Sequence, residues 1–163
     1  MGRGRIADNW VMARSAARIL LLDESDDVLL VRFHDGSRSW WCTPGGGIEK
    51  TESDEEALRR EVREELGLRS FDLGPLVWTR RHRGRFRGRA FDQQERMYLA
   101  RVDRFDPGPE PGFEQEHAVE DMRCWTVQQL TASAETFAPR QLPRLLLELL
   151  RDGVPVGARK VGV

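Results

Sequence analysis

Three observations predict an α/β sandwich for this 163-residue chain. Apolar segments of strand length recur between turn residues, at 16–22, 28–33, 76–79 and 93–102. Two longer stretches, 54–66 and a last one ending at Gly153, place leucine and valine at helical spacing. The two periods alternate along the chain instead of segregating, and that is the pattern of strands and helices layered on one another.

The elements follow in order. Residues 1–12 are polar, rich in glycine and arginine, and read as a flexible leader. A single domain is expected over 13–153, with 154–163 as a frayed tail; a chain of this size can bury about two-thirds of its unfolded surface in one core. Ala16 to Leu22 and Val28 to Phe33 form a hairpin around the acidic turn 23–27, which reads as a solvated turn. Trp40 and Trp41 open a loop that reaches Gly45-Gly46-Gly47, where three missing side chains let backbone approach a ligand closely.

Ser53 with Glu56 makes a capping box, so a helix is expected from Asp54 up to Gly67, a residue suited to a left-handed C-terminal stop. On it Glu61, Glu64 and Glu65 stand at i, i+3 and i+4, three carboxylates on one face beside the apolar stripe of Leu58, Val62 and Leu66. Their repulsion calls for a positive counterpart. Arg59, Arg60 and Arg63 can supply it on a solvated helix, and a hard divalent cation with oxygen ligands can supply it in a site.

Leu76 to Thr79 begins a strand that enters the run 80–89, which holds six arginines and one histidine, and a return strand over 93–102 makes this the tip of a long hairpin. The tip reads either as a solubilising surface or as an arginine cluster that captures polyphosphate, with nucleic acid the weaker alternative because only Phe86 interleaves the charges. Residues 106–112 contain three prolines and cannot be regular structure. An acidic stretch with Glu114, Glu116 and Glu120 follows, then a strand over 122–127, a short helix around Leu130, and a leucine-striped helix started by Pro139 or Pro143.

Read by spacing, Gly46, five residues, Glu52, seven residues, Arg60-Glu61-Val62, one residue, Glu64-Glu65, one residue, Gly67-Leu68 matches every defined position of the Nudix box, and the segment resembles that family. The likeness extends outward to the first two strands and to the Trp125 strand. The resemblance implies a Nudix-type α/β/α sandwich with a mixed central β-sheet. It further implies Mg²⁺-dependent hydrolysis, with Mn²⁺ as a substitute, of a diphosphate linkage in a nucleoside diphosphate joined to some group X. By the same resemblance Glu61, Glu64 and Glu65 are metal ligands, Glu52 and Arg60 orient them, and the backbone of Gly45, Gly46 and Gly47 shapes the approach; Arg83 and Arg85 are expected to bind substrate phosphate on the charge of the arginine run alone.

The general base stays open among Glu64, Glu65 and Glu116, the last chosen by position with Glu114 and Glu120 close behind. Downstream marks carried by some subfamilies, a proline for ADP-ribose or a tyrosine for dinucleoside polyphosphates, are absent because that region is the arginine run. The alternative is a catalytically silent Nudix-like module that binds a nucleotide or RNA; an intact set of box glutamates speaks against it.

Net charge of −1 with a third of residues charged gives no global pull toward nucleic acid or a membrane surface. No apolar run approaches a membrane span and no signal-type segment opens the chain, so a cytoplasmic protein acting on a nucleotide-type small molecule is expected, with a homodimer compatible. Cys42 and Cys124 lie far apart without metal-type spacing and read as free thiols.

Overall fold

A computed structural model describes residues 13–86, 88–113 and 119–162. Nine strands and three helices are found among them: β1 (Arg14–Leu22), β2 (Val28–His34), β3 (Ser39–Cys42), β4 (Gly45–Gly47), α1 (Asp54–Leu66), β5 (Leu76–Phe86), β6 (Arg89–Arg101), β7 (Val119–Trp125), α2 (Val127–Ala132), β8 (Phe137–Ala138), α3 (Leu142–Asp152) and β9 (Arg159–Lys160). The sheet runs β8-β3-β2-β1-β6-β5-β9, with β4 paired to the outer half of β1 and β7 to β2. β1 is antiparallel to β2 and β4 but parallel to β6, so the sheet is mixed.

Alternation along β1 divides the core. Ala17, Ile19 and Leu21 face α1 and pack with Leu58, Val62 and Leu66. Leu20 and Leu22 face the other way, with Trp41, Trp78, Met97 and Trp125, against Leu142, Leu145, Leu146 and Leu149 of α3. Helices therefore cover both faces, as the resemblance implies. Each such leucine removed from water contributes about 1.5–3 kcal/mol, enough to fix the helix–sheet register.

Two expectations are corrected. The acidic turn is not simply solvated: Asp23 is 4% exposed, accepts the N–H groups of Ser25 and Asp27, and is clamped by the Arg104 guanidinium at 2.7 Å. The segment read as a frayed tail is also tied down, since Arg159 and Lys160 pair in parallel with Trp78 and Thr79 and Val161 is buried. Neither could be read locally, because both partners come from distant segments. The leader, Arg87, Glu114 and Glu116 lie outside the described residues.

The hairpin β5–β6 pairs from Leu76↔Tyr98 out to Phe86↔Arg89. β1 covers β6 only from Gln93 onward, so residues 83–86 and 89–92 overhang the sheet. The chain leaves β4 at this same end, with the Ile48 N–H donating to the Ser15 carbonyl at 2.9 Å.

Candidate functional site

The loop–helix segment starts from local chemistry. The Ser53 side chain accepts the Glu56 N–H while the Glu56 carboxylate accepts the Ser53 N–H, and Gly67 closes the helix at φ 73°. Gly45 is obligatory, because at φ 127° any Cβ would lie 2.2 Å from the Ala17 carbonyl oxygen of the paired strand. Gly46 makes room for a carboxylate, since a Cβ there would lie 2.7 Å from the Glu61 carboxyl carbon. The space beside Gly47 is filled by the Arg14 guanidinium.

Arg60 organises the acids. Its fork takes Glu52 through two bonds of 2.6 and 2.8 Å, Glu61 at 2.8 Å and the Gly47 carbonyl at 3.1 Å, and Glu64 stands 3.6 Å away. The Arg60 bond holds the Glu52 carboxyl down at about 2. Glu65 turns inward, 1% exposed, and accepts the Gly45 N–H at 3.3 Å. Burial pushes its carboxyl up to about 8, with Arg18 opposing and Glu61 and Glu64 adding to the rise.

The three box glutamates therefore do not meet at one point. Two share an arginine, one is buried on a glycine strand, and among the described residues no trio of such side chains is gathered tightly enough to hold an ion outright. The residues nonetheless fit a hard divalent cation. The donors are all carboxylate oxygens, a single guanidinium serves three carboxylates, and a fourth is held buried with one N–H for company.

A second charged group underlies the glycine strand and was not singled out from the sequence. Arg18 donates to the Gly45 carbonyl at 2.8 Å, to the Thr43 carbonyl at 3.4 Å and to Glu95 at 3.4 Å. Glu95, 2% exposed, also accepts from Arg80 at 2.7 Å and from Gln93 at 2.8 Å. Burial works against its charge, but Arg18 and Arg80 hold its pKa below the usual carboxylate range. The signal for Arg18 was an arginine inside an otherwise apolar strand, since such residues are rarely buried unpaired. For Glu95 there was none, because its facing depended on a register that only the β1–β6 pairing sets.

Of the arginine run, Arg81 and Arg83 both bind Asp92, at 2.7 and 2.9 Å, while Arg85 donates to the Gly88 carbonyl at 3.3 Å. The structure sets these side chains on the overhanging hairpin, apart from the ion pairs of Arg60. Cys42 and Cys124 are both free, and burial pushes the Cys42 thiol up to about 12 with Arg18 opposing.

This architecture, a mixed sheet clasped by helices with an acidic loop–helix at its edge, has counterparts among solved structures. The MutT protein from Methanosarcina mazei Go1 superposes with a TM-score of 0.66 over 88% of this chain and 96% of that one, at 18% identity. An ADP-ribose pyrophosphatase from Streptococcus suis does so with a TM-score of 0.61 over 91% and 98%, at 17% identity. The family model described as the NUDIX domain matches residues 12–146, and the chain belongs to the Nudix hydrolase family. The nucleoside triphosphatase NudI of Salmonella typhimurium is 48% identical over 59 residues, a match spanning 36% of this chain and 42% of the relative's length.

Proposed function

We propose that the protein is a divalent-metal-dependent hydrolase that cleaves a diphosphate linkage in a nucleoside diphosphate derivative, with Mg²⁺ as the resident ion and Mn²⁺ as its substitute. The observation that carries this reading is the Arg60 assembly. One guanidinium spans Glu52, Glu61 and the Gly47 carbonyl, so that the loop and the acidic helix face are held as one unit beside the buried Glu65.

In this reading Glu61, Glu64 and Glu65 hold the cation, and Arg60, itself held by Glu52, orients them. When bound, the ion supplies charge neutralisation on the phosphate oxygens and a water of lowered pKa. The chain's own residues do the rest. The Gly46 backbone leaves a Cβ-free approach beside Glu61, and the Gly45 N–H holds the Glu65 carboxylate. Glu64 and Glu65 are candidates to accept a proton from the attacking water, with Glu116 as the third. The chain leading toward Glu116 is fastened to the end of α1, where the Glu110 N–H donates to the Glu64 carbonyl at 2.8 Å and the Gly108 N–H to the Leu66 carbonyl at 3.0 Å.

Arg83 and Arg85 belong to the substrate side. The hairpin overhangs the end of the sheet from which the glycine strand departs, so a phosphate chain entering there meets their charge before it meets the glutamates. Charge of this kind steers anions and favours capture over tight binding.

The deciding experiment is a screen of nucleoside di- and triphosphates, ADP-ribose, nucleotide sugars and dinucleoside polyphosphates with Mg²⁺, with products analysed in ¹⁸O water to locate the phosphorus attacked. Nucleoside triphosphates and ADP-ribose, the compounds in the names of two similar proteins, are assayed first. Turnover of any member is the expected outcome. Tight nucleotide binding without turnover of any compound would instead favour a silent binding module.

A further inference from the structure

Arg18 takes no part in the reaction as proposed, yet its side chain bonds the glycine strand at the Gly45 carbonyl. Its neighbours along β1, Ala16, Ala17, Ile19, Leu20, Leu21 and Leu22, are buried and apolar, so a leucine or methionine would pack there without desolvating a charge. A buried ion pair is weak ground for stability, because the cost of removing both charges from water offsets their attraction. The position requires an arginine for another reason: the fork reaches the Gly45 carbonyl with one nitrogen and Glu95 with another, which a lysine's single ammonium does not span.

We infer that Arg18 is a positioning residue that, through the chain Arg80–Glu95–Arg18–Gly45, holds the glycine strand in the orientation that aims the Gly45 N–H at Glu65. The inference rests on the proposed role of Glu65. Each link is present: Arg80 donates to Glu95 at 2.7 Å, Arg18 to Glu95 at 3.4 Å and to the Gly45 carbonyl at 2.8 Å, and Gly45 to Glu65 at 3.3 Å. Gly45 carries both groups on one α-carbon, the carbonyl that Arg18 holds and the N–H that Glu65 accepts. Loss of the fork leaves the Gly45 carbonyl without its side-chain donor, and the N–H across the same α-carbon loses its fixed aim at Glu65.

The test uses the full chain carrying Arg18→Lys and, separately, Arg80→Lys. Both keep the charge and remove the fork. Mn²⁺ affinity is measured by electron paramagnetic resonance without nucleotide, and kcat and KM are measured on the nucleotide turned over fastest in the screen. Arg18→Lys is expected to weaken Mn²⁺ binding and lower kcat by about tenfold each, as loss of a residue behind a ligand typically does, with KM nearly unchanged and the fold intact by circular dichroism. Arg80→Lys shows smaller losses in the same two quantities.

A folded Arg18→Lys protein with wild-type Mn²⁺ affinity and kcat overturns the inference. If that variant does not fold, Arg80→Lys is judged by the same two measurements, and if neither folds the chain serves stability alone and the inference is lost. A wild-type protein that neither binds Mn²⁺ nor hydrolyses any nucleotide would fail earlier, at the proposed site itself.

Discussion

Two arginine–carboxylate groups stand at the same end of the sheet with opposite stoichiometry. Around Arg60, one guanidinium serves three carboxylates, with Glu65 buried close by. On the hairpin, Arg81 and Arg83 share Asp92, and Arg85 has only a backbone carbonyl among the described residues. Both are built from arginines and carboxylates, but the first has negative charge to spare and the second positive. On the proposed function, the first group would receive a hard cation and the second a phosphate.

The largest effect tests whether the acidic group needs a cation. Excess EDTA is expected to bring hydrolysis to background, and Mg²⁺ or Mn²⁺ to restore it; full activity in the chelator would leave the carboxylates without their stated purpose. Next in size, Glu64→Gln is expected to lower kcat by about 100-fold or more, beyond the range typical of residues behind a ligand. Near-normal turnover would remove Glu64 from the site.

Arg60→Lys keeps one positive charge but cannot hold Glu52 and Glu61 at once, and a kcat loss of about 10–100-fold is expected at constant fold. A loss confined to thermal stability would reduce Arg60 to a helix-surface ion pair. The positive group sharpens the comparison at smaller scale. Arg83→Gln with Arg85→Gln should raise KM several-fold at low ionic strength and progressively less toward 0.5 M salt, where the Debye length has shrunk to roughly 4–5 Å. Unchanged KM at low salt would return the hairpin tip to a solubilising surface.

The box and its helix were legible because their information is local. A cap, a glycine stop, the spacing of three glutamates and the arginine beside them all lie within Gly46 to Leu68. The order and type of the main elements followed from the period of leucine and valine for the same reason. What could not be read was set by pairing across the chain. Glu95 is buried beneath the glycine strand only because β1 runs parallel to β6 with Ala16 opposite it. Arg104 clamps the acidic turn from 81 residues away, and β9 finds β5 at the far edge. Nothing near 23–27 or 159–160 announces these partners, and the same is true of Arg18 and Arg80.

A balanced pair supplies the smallest effect and the control for the other two. Arg96 makes a two-pronged bond to Asp54 at 2.5 Å on each side, and the Tyr98 hydroxyl adds a third at 2.6 Å, so β6 is pinned to the first turn of α1 with no charge left over. The Arg96 bond, opposed by burial and aided by Tyr98, holds the Asp54 carboxyl below its usual 3.8. Because the folded pKa is the lower one, the stabilisation is complete above pH 3.8 and is lost as pH falls through the folded value. Asp54→Asn should cost on the order of 1 kcal/mol at pH 7, the solvent exposure of Arg96 limiting the figure. Urea melts at pH 7 and in acid below pH 3.8 measure this: the gap between wild type and variant should narrow at the acid end, because the unfolded chain then takes up a proton that the folded carboxyl resists. The variant should keep its Mn²⁺ affinity and its kcat, since a pair with no excess charge has nothing to offer either ion; a large catalytic loss would show that the balance of charge is not what separates the three groups.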